Sequence, residues 1–145
     1  MKKKILVIHG PNLNLLGTRE TSIYGTLTMK EIDERIRKAA GARATLRFFQ
    51  SNGEGEIIDF IQKHRNWADG ILINPAAYTH YSYAIRDAIA AVALPCVEVH
   101  LSDIKKREPF RRVSVIKEVC TAQISGLGWK SYTEGLARLL EEPRK

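Results

Sequence analysis

The sequence predicts an α/β domain built on a parallel sheet, and three observations carry that expectation. Short apolar runs alternate with amphipathic stretches of helical period. The first, third and fourth runs are rich in Val and Ile, the pattern of strands buried on both faces. The helical stretches carry their own stop and start signals, Gly, Pro and a capping box.

The strands are expected at "KILVI" (4–8), "TLRFF" (45–49), "GILIN" (70–74), "CVEVHL" (96–101) and "CTAQIS" (120–125). The first helix opens on Thr28 with Glu31 three residues later, a capping box. Its stripe is Met29, Ile32, Ile36 and Ala39 or Ala40, and Gly41 stops it. The second helix carries Ile57, Ile58 and Ile61. The third carries Ile85, Ala88, Ile89 and Val92 and ends before Pro95. The last carries Trp129, Tyr132, Leu136 and Leu139. All four stripes read as core faces without chemistry, and His64 as a solvated residue. Five strands with intervening helices suggest the flavodoxin-like order 2-1-3-4-5, in which ligands bind beyond the carboxyl ends of the strands near the switch point. Residues 1–145 read as a single domain.

Composition excludes several classes. The 145 residues are 44% hydrophobic and 27% charged, ordinary for a soluble globular protein. No apolar run approaches the roughly 20 residues of a membrane helix. The start "MKKKILVIHGP" mimics a signal peptide, but its apolar run is shorter than the ~7–15 residues of a secretory core. Cys96 and Cys120 lie in apolar runs and read as free thiols in a reducing cytoplasm, without metal-ligand spacing. The net charge of +7 permits nucleic-acid binding, yet the basic residues are dispersed and no basic–aromatic alternation forms a stacking platform. A positive protein also attracts small carboxylates.

Residues 9–28, "HGPNLNLLGTRETSIYGTLT", form a long polar connection after the first strand. Connections longer than about 12–15 residues are usually functional or disordered. A Walker cradle needs four residues between its glycines and then Lys with Ser or Thr. Gly10 and Gly17 have six between them, and Thr18-Arg19 follows. The dinucleotide fingerprint is absent as well, because Pro11 and Asn12 follow Gly10. What the connection offers is Asn12, Arg19 and Tyr24. A guanidinium within ~4–6 Å of a phenol favours its charged form and makes Tyr a general base. Alone, this trio reads better as an ordinary loop, with a loop Tyr and a solvent-facing Arg.

The endings of the other strands are polar. Glu98, His100 and Ser102 share one face of an extended segment, with Val97, Val99 and Leu101 on the other. A carboxylate and an imidazole in an apolar strand are costly unless paired. Glu98 is placed to hold His100 in one tautomer and leave its other nitrogen for proton transfer; a purely structural pair fits this segment as well. Strand three ends in Asn74, and His80 is expected to open the next helix. Asp87, seven residues on, would then lie about 10 Å further along at ~1.5 Å per residue. One small ligand cannot easily touch both, so Asp87 is expected to serve a neighbouring subunit.

Taken together, the segments "ILVIHGPNLNLLGTRE" with "YG" at 24–25, "QSNGEGEIIDFI", "NPAAYTHYSYAIRDAI", "VEVHLSDIKKREPFRRVS" and "ISGLGWKSY" resemble the type II 3-dehydroquinate dehydratases over nearly the whole chain. The resemblance implies a flavodoxin-like, three-layer catalytic domain that converts 3-dehydroquinate to 3-dehydroshikimate and water by anti elimination through an enolate. It implies no metal and no cofactor, a cytoplasmic enzyme of the shikimate pathway, and a homo-oligomer of trimers building a dodecamer. The small-molecule substrate is the implied partner, with neither nucleic acid nor membrane. Tyr24 would be the base, Arg19 would favour its phenolate, and Asn12 would help stabilise the enolate. His100 would be the general acid, oriented by Glu98. Asn74, Leu101 and Ser102 would hold the substrate carboxylate, His80 and Arg111 ring hydroxyls, and Arg107 the site rim. Asp87 would reach an adjacent subunit's site. The sequence departs from the family pattern at Gly53, where many members carry His, and at Ala76, where many carry Gly. The competing reading is a catalytically inactive flavodoxin-like binding module.

Overall fold

Alternation within the strands decides which side of the sheet each residue meets. The computed structural model describes residues 2–143. The expected domain span of 1–145 also takes in Met1, Arg144 and Lys145, which lie outside the described residues. Five parallel strands, β1 (Lys3–His9), β2 (Ala44–Gln50), β3 (Gly70–Asn74), β4 (Cys96–His100) and β5 (Ala122–Ser125), pair in the order β2-β1-β3-β4-β5. β4 ends one residue sooner and β5 starts two residues later than the apolar runs suggest. Leu101 is buried beyond the last ladder residue, and Cys120 closes a turn onto Lys117.

Four helices of ten or more residues cover the sheet, after a single helical turn, α1 (Thr21–Tyr24). They are α2 (Met29–Ala40), α3 (Glu54–Lys63), α4 (Tyr83–Val92) and α5 (Lys130–Glu141). Ile5, Val7, Leu72, Val97 and Val99 face α2 and α5 and pack with Ile32, Ile36, Tyr132 and Leu136. Leu6, Ile8, Ile71, Ile73 and Cys96 face α3 and α4 and pack with Ile57, Ile61, Ile85 and Ile89. The central strands β1, β3 and β4 are therefore buried on both sides, as their β-branched composition requires, while β2 and β5 at the edges are partly open. The capping box of α2 is formed: Thr28 Oγ1 accepts from Glu31 N, and Glu31 Oε1 accepts from Thr28 N.

Two glycines allow close approaches that matter for the site. A Cβ on Gly135 of α5 would stand 2.7 Å from Leu72 Cδ1 and 2.8 Å from Val99 Cγ1, so α5 lies tight on the sheet. A Cβ on Gly10 would stand 2.5 Å from the Pro75 carbonyl oxygen, and Gly10 N–H donates to Asn74 O at 2.8 Å. The ends of β1 and β3 are thereby clasped together at the switch point of the strand order. Cys96 and Cys120 are free, with their sulfurs 3.8 Å apart. His64 is half-buried rather than solvated: its Nδ1 lies 2.9 Å from Phe60 O and its ring packs on Phe60. Among the described residues no helix is long and apolar enough to cross a membrane.

Candidate active site

A cavity opens beyond the carboxyl ends of β1, β3 and β4. Asn12, Arg19, Tyr24, Asn74, His80, His100, Leu101, Ser102, Arg107 and Arg111 line it. Three arginines and two histidines face this space, and no Asp or Glu is among the lining residues. Such a lining favours an anion. Glu98 lies behind His100, fully buried. Asp87 is exposed on α4 and does not line the cavity of its own chain. His80 does not open α4. It closes a separate 3₁₀ turn, Ala76–His80, because Ser82 caps the helix that begins at Tyr83. The helix-spacing estimate between His80 and Asp87 therefore does not apply, although Asp87 does stand away from the cavity.

The connection after β1 is more ordered than an open loop. It folds into a 3₁₀ turn, Leu13–Leu15, and then α1. Asn12 adopts a left-handed conformation (φ 69°), which Asn tolerates better than most residues, and its N–H donates to Asn52 Oδ1 at 3.0 Å. α1 presents Tyr24 to the cavity. The Arg19 guanidinium lies over the Tyr24 ring at 4.0 Å, and Arg19 Nε pairs with Glu20 at 3.2 Å. Arg107 Nη1 donates to the Tyr24 hydroxyl at 2.7 Å. Sequence reasoning placed Arg107 only at the rim. In the structure it is the arginine that bonds the phenol oxygen, while Arg19 sits over the ring. Both offer charge compensation to a phenolate.

The strand-four pair is built as its alternation suggests. Glu98 Oε2 lies 2.5 Å from His100 Nε2. Ser114 Oγ donates to Glu98 Oε1 at 2.9 Å, and Thr79 Oγ1 donates to Oε2. Burial alone would raise the Glu98 carboxyl. Hydrogen bonds from His100, Thr79 and Ser114, with the His100 charge, outweigh it and hold the carboxyl below its ordinary value. A carboxylate accepts only, so His100 Nε2 carries the proton of that bond. Its Nδ1 has no partner among the described residues, in a side chain that lines the cavity. His80 is fixed differently. Its Nδ1 lies 2.7 Å from Val113 O and must donate, leaving Nε2 as the acceptor. Burial lowers its pKa and favours this neutral form.

Sequence reasoning missed the hydroxyls of Thr79 and Ser114, and it missed His9. His9 is buried at the end of β1, bonded to Asp33 and Tyr132. The signal available was its parity: it shares the apolar face of Ile5 and Val7, where an imidazole needs partners. The two departures from the family pattern also resolve. Gly53 is the residue preceding α3, at φ −96°, open to most residues. Ala76 sits at φ 53°, a conformation that favours Gly.

Fold and site define a flavodoxin-like α/β protein in which a phenol and an imidazole, each with a fixed partner, face one cavity whose lining favours an anion. The description "Dehydroquinase class II" fits residues 3–140. A 3-dehydroquinate dehydratase of Caldicellulosiruptor bescii is 57% identical over 143 residues, covering 96% of this chain and 97% of its own. One from Roseiflexus castenholzii is 54% identical over 138 residues, covering 94% of this chain and 88% of its own. The crystal structure of a type II dehydroquinase from Butyrivibrio crossotus superimposes with a TM-score of 0.93 at 48% identity, covering 95% of this chain and 97% of that one. The chain belongs to the class II dehydroquinase family.

Proposed function

We propose that this protein is a 3-dehydroquinate dehydratase that eliminates water through an enolate, with Tyr24 as base and His100 as acid. The observation that carries the division of labour is the Arg107–Tyr24 bond at 2.7 Å, on the same cavity that the Glu98-backed His100 lines. The Tyr24 phenolate takes the proton from the carbon beside the ketone. The electron pair moves onto the ketone oxygen, where Asn12 helps stabilise the negative charge. The enolate then collapses, the carbon–oxygen bond to the departing hydroxyl breaks, and His100 supplies the proton that makes it water. Glu98 orients His100 and stabilises the imidazolium before that transfer. The product gains a carbon–carbon double bond conjugated with the ketone.

The remaining residues bind. Asn74, Ser102 and the backbone at Leu101 and Ser102 hold the carboxylate, and Arg111 and His80 take ring hydroxyls. His80 presents its unprotonated Nε2, so it accepts a hydrogen bond from a hydroxyl. Arg19 lies over Tyr24 and rides on the connection at 17–26, which serves as a lid. Asp87 serves a neighbouring subunit in a trimer-based dodecamer, and the enzyme is a single cytoplasmic domain acting in aromatic biosynthesis. The test is ultraviolet absorbance with 3-dehydroquinate. Wild type is expected to give a rise as the enone forms, and Tyr24→Phe to lose nearly all turnover while folding normally. A flat trace from folded wild type would overturn the reading, and near-normal turnover by Tyr24→Phe would remove Tyr24 as the base.

A further inference from the structure

Ser114 does not line the cavity, yet with Thr79 it completes the set of groups behind His100. The backbone on either side of Ser114 is clamped to the 3₁₀ turn Ala76–His80. Val115 N–H donates to Thr79 O at 2.8 Å, and Val113 O lies 2.7 Å from His80 Nδ1. Arg86 of α4 adds a bond from Nη1 to Val115 O at 2.9 Å. Ser114 is thereby held against β4, with its Oγ 2.9 Å from Glu98 Oε1 and 3.0 Å from Oε2.

Donor and acceptor counting fixes the proton of each hydroxyl. Ser114 Oγ accepts from Ile116 N at 3.2 Å and from Lys117 N at 3.1 Å. A hydroxyl has two lone pairs and one proton, so both lone pairs are taken and the proton goes to Glu98. Thr79 Oγ1 lies 3.2 Å from Ser114 Oγ, where no lone pair remains, so the Thr79 proton also goes to Glu98. Glu98 is 0% exposed, and two hydroxyl protons are already turned toward it. A protonated Glu98 would have to donate. Ser114 has no lone pair to receive that proton, and Thr79 would lose the acceptor of its own. The proton between Glu98 Oε2 and His100 Nε2, 2.5 Å apart, therefore stays on the ring.

We infer that Ser114 and Thr79 are positioning residues for proton transfer by His100: their hydroxyl protons, committed to Glu98, keep the shared proton on Nε2 and leave Nδ1 as the nitrogen that serves the cavity. The inference rests on the proposed dehydratase activity and names two residues that act behind its acid. Capping alone does not call for a hydroxyl at 114. Asp would accept from the same N–H groups at the start of the turn Lys117–Val119 and would bring no proton. Nor does packing call for one at Thr79, which is 0% exposed and has the shape of Val. A buried hydroxyl is costly without a partner, and here the partner is the carboxylate that holds the acid.

The test is a double-mutant cycle on kcat for 3-dehydroquinate at saturating concentration. Ser114→Ala is expected to lower kcat about tenfold with KM within about twofold, the signature of an interaction that matters in the transition state. Ser114→Thr returns the hydroxyl and is expected to bring kcat within about threefold of wild type. In a Glu98→Gln background, Ser114→Ala is expected to lower kcat by no more than about twofold. Equal kcat losses in both backgrounds would overturn the inference, because Ser114 would then act through its turn rather than through Glu98. A loss confined to KM would overturn it as well. If Ser114→Ala fails to fold, Thr79→Val answers the question: a fall in kcat at constant KM is expected, and an unchanged kcat would overturn the inference. Wild type run alongside separates the failures. No turnover by folded wild type removes the dehydratase reading and this inference with it, whereas wild-type turnover matched by Ser114→Ala removes this inference alone.

Discussion

Two histidine–carboxylate pairs stand on opposite faces of one sheet, and they differ in what surrounds the second ring nitrogen. His100 bonds Glu98 through Nε2 at 2.5 Å and leaves Nδ1 at the cavity. His9 bonds Asp33 through Nε2 at 2.7 Å and spends Nδ1 on Tyr132. Both imidazoles are buried and both carboxylates accept. Only His100 can hand a proton to something outside the protein. A buried His–carboxylate pair is therefore no sign of an acid until the other nitrogen is traced. The connection from Asn74 to His80 ties the two sets together. Asn74 is the register partner of His9 in the adjacent strand, and Thr79 donates to Glu98.

The comparison can be sharpened by removing each carboxylate's charge in turn. Glu98→Gln is expected to lower kcat by about 10–10² at saturating substrate, since the imidazolium of His100 loses its partner. Asp33→Asn should leave kcat within about threefold. Steady-state kinetics on the two proteins would break the distinction if the losses were alike.

A smaller effect is expected in stability against pH. The Glu98 carboxyl is held below its ordinary value of 4.5 despite burial, by hydrogen bonds and the charge of His100. A depressed carboxyl contributes stability that is fully present above the unfolded-state value and is lost as pH falls through the folded value. Below about pH 4.5 wild type should therefore lose stability more steeply than Glu98→Gln. Urea melts at pH 7 and at stepped acid pH values would show this, and parallel curves would contradict it. The smallest effect is expected at Ala76, in the connection shared by both sets. Its φ of 53° strains any side chain. Ala76→Gly keeps the N–H donated to Asn74 and should stabilise by about 1 kcal/mol, or about 2–4 °C in Tm. A lower Tm would mean that the turn is not strained.

The sheet order and four of the helices were legible because strands buried on both faces read as runs of Val and Ile and because Thr28 and Glu31 mark a helix start. Boundaries shifted where an apolar residue is buried outside the ladder, as Leu101 is. Asn12, Arg19, Tyr24, Asn74, His80, His100, Leu101, Ser102 and Arg111 were legible as polar strand endings or through family motifs, and the fold gathers them at one cavity. His80 was assigned to the wrong element because the 3₁₀ turn before Ser82 has no periodic signature. Thr79, Ser114, His9, Asp33 and Tyr132 were not legible as partners. Their meetings are tertiary, across strands and helices remote in sequence, and Tyr132 fits a helical stripe as well as Phe would. Arg107 was undervalued because nothing in its own segment points to Tyr24.

If the free ring nitrogen decides the role, His100 transfers a proton and His9 does not. The most direct measurement is turnover of 3-dehydroquinate at saturating concentration by His100→Ala and His9→Asn beside wild type. A fall of about 10²–10⁴ in kcat is expected for His100→Ala. For His9→Asn, kcat within about fivefold of wild type is expected. Comparable kcat losses in the two variants, or a His100→Ala protein close to wild type, would contradict it.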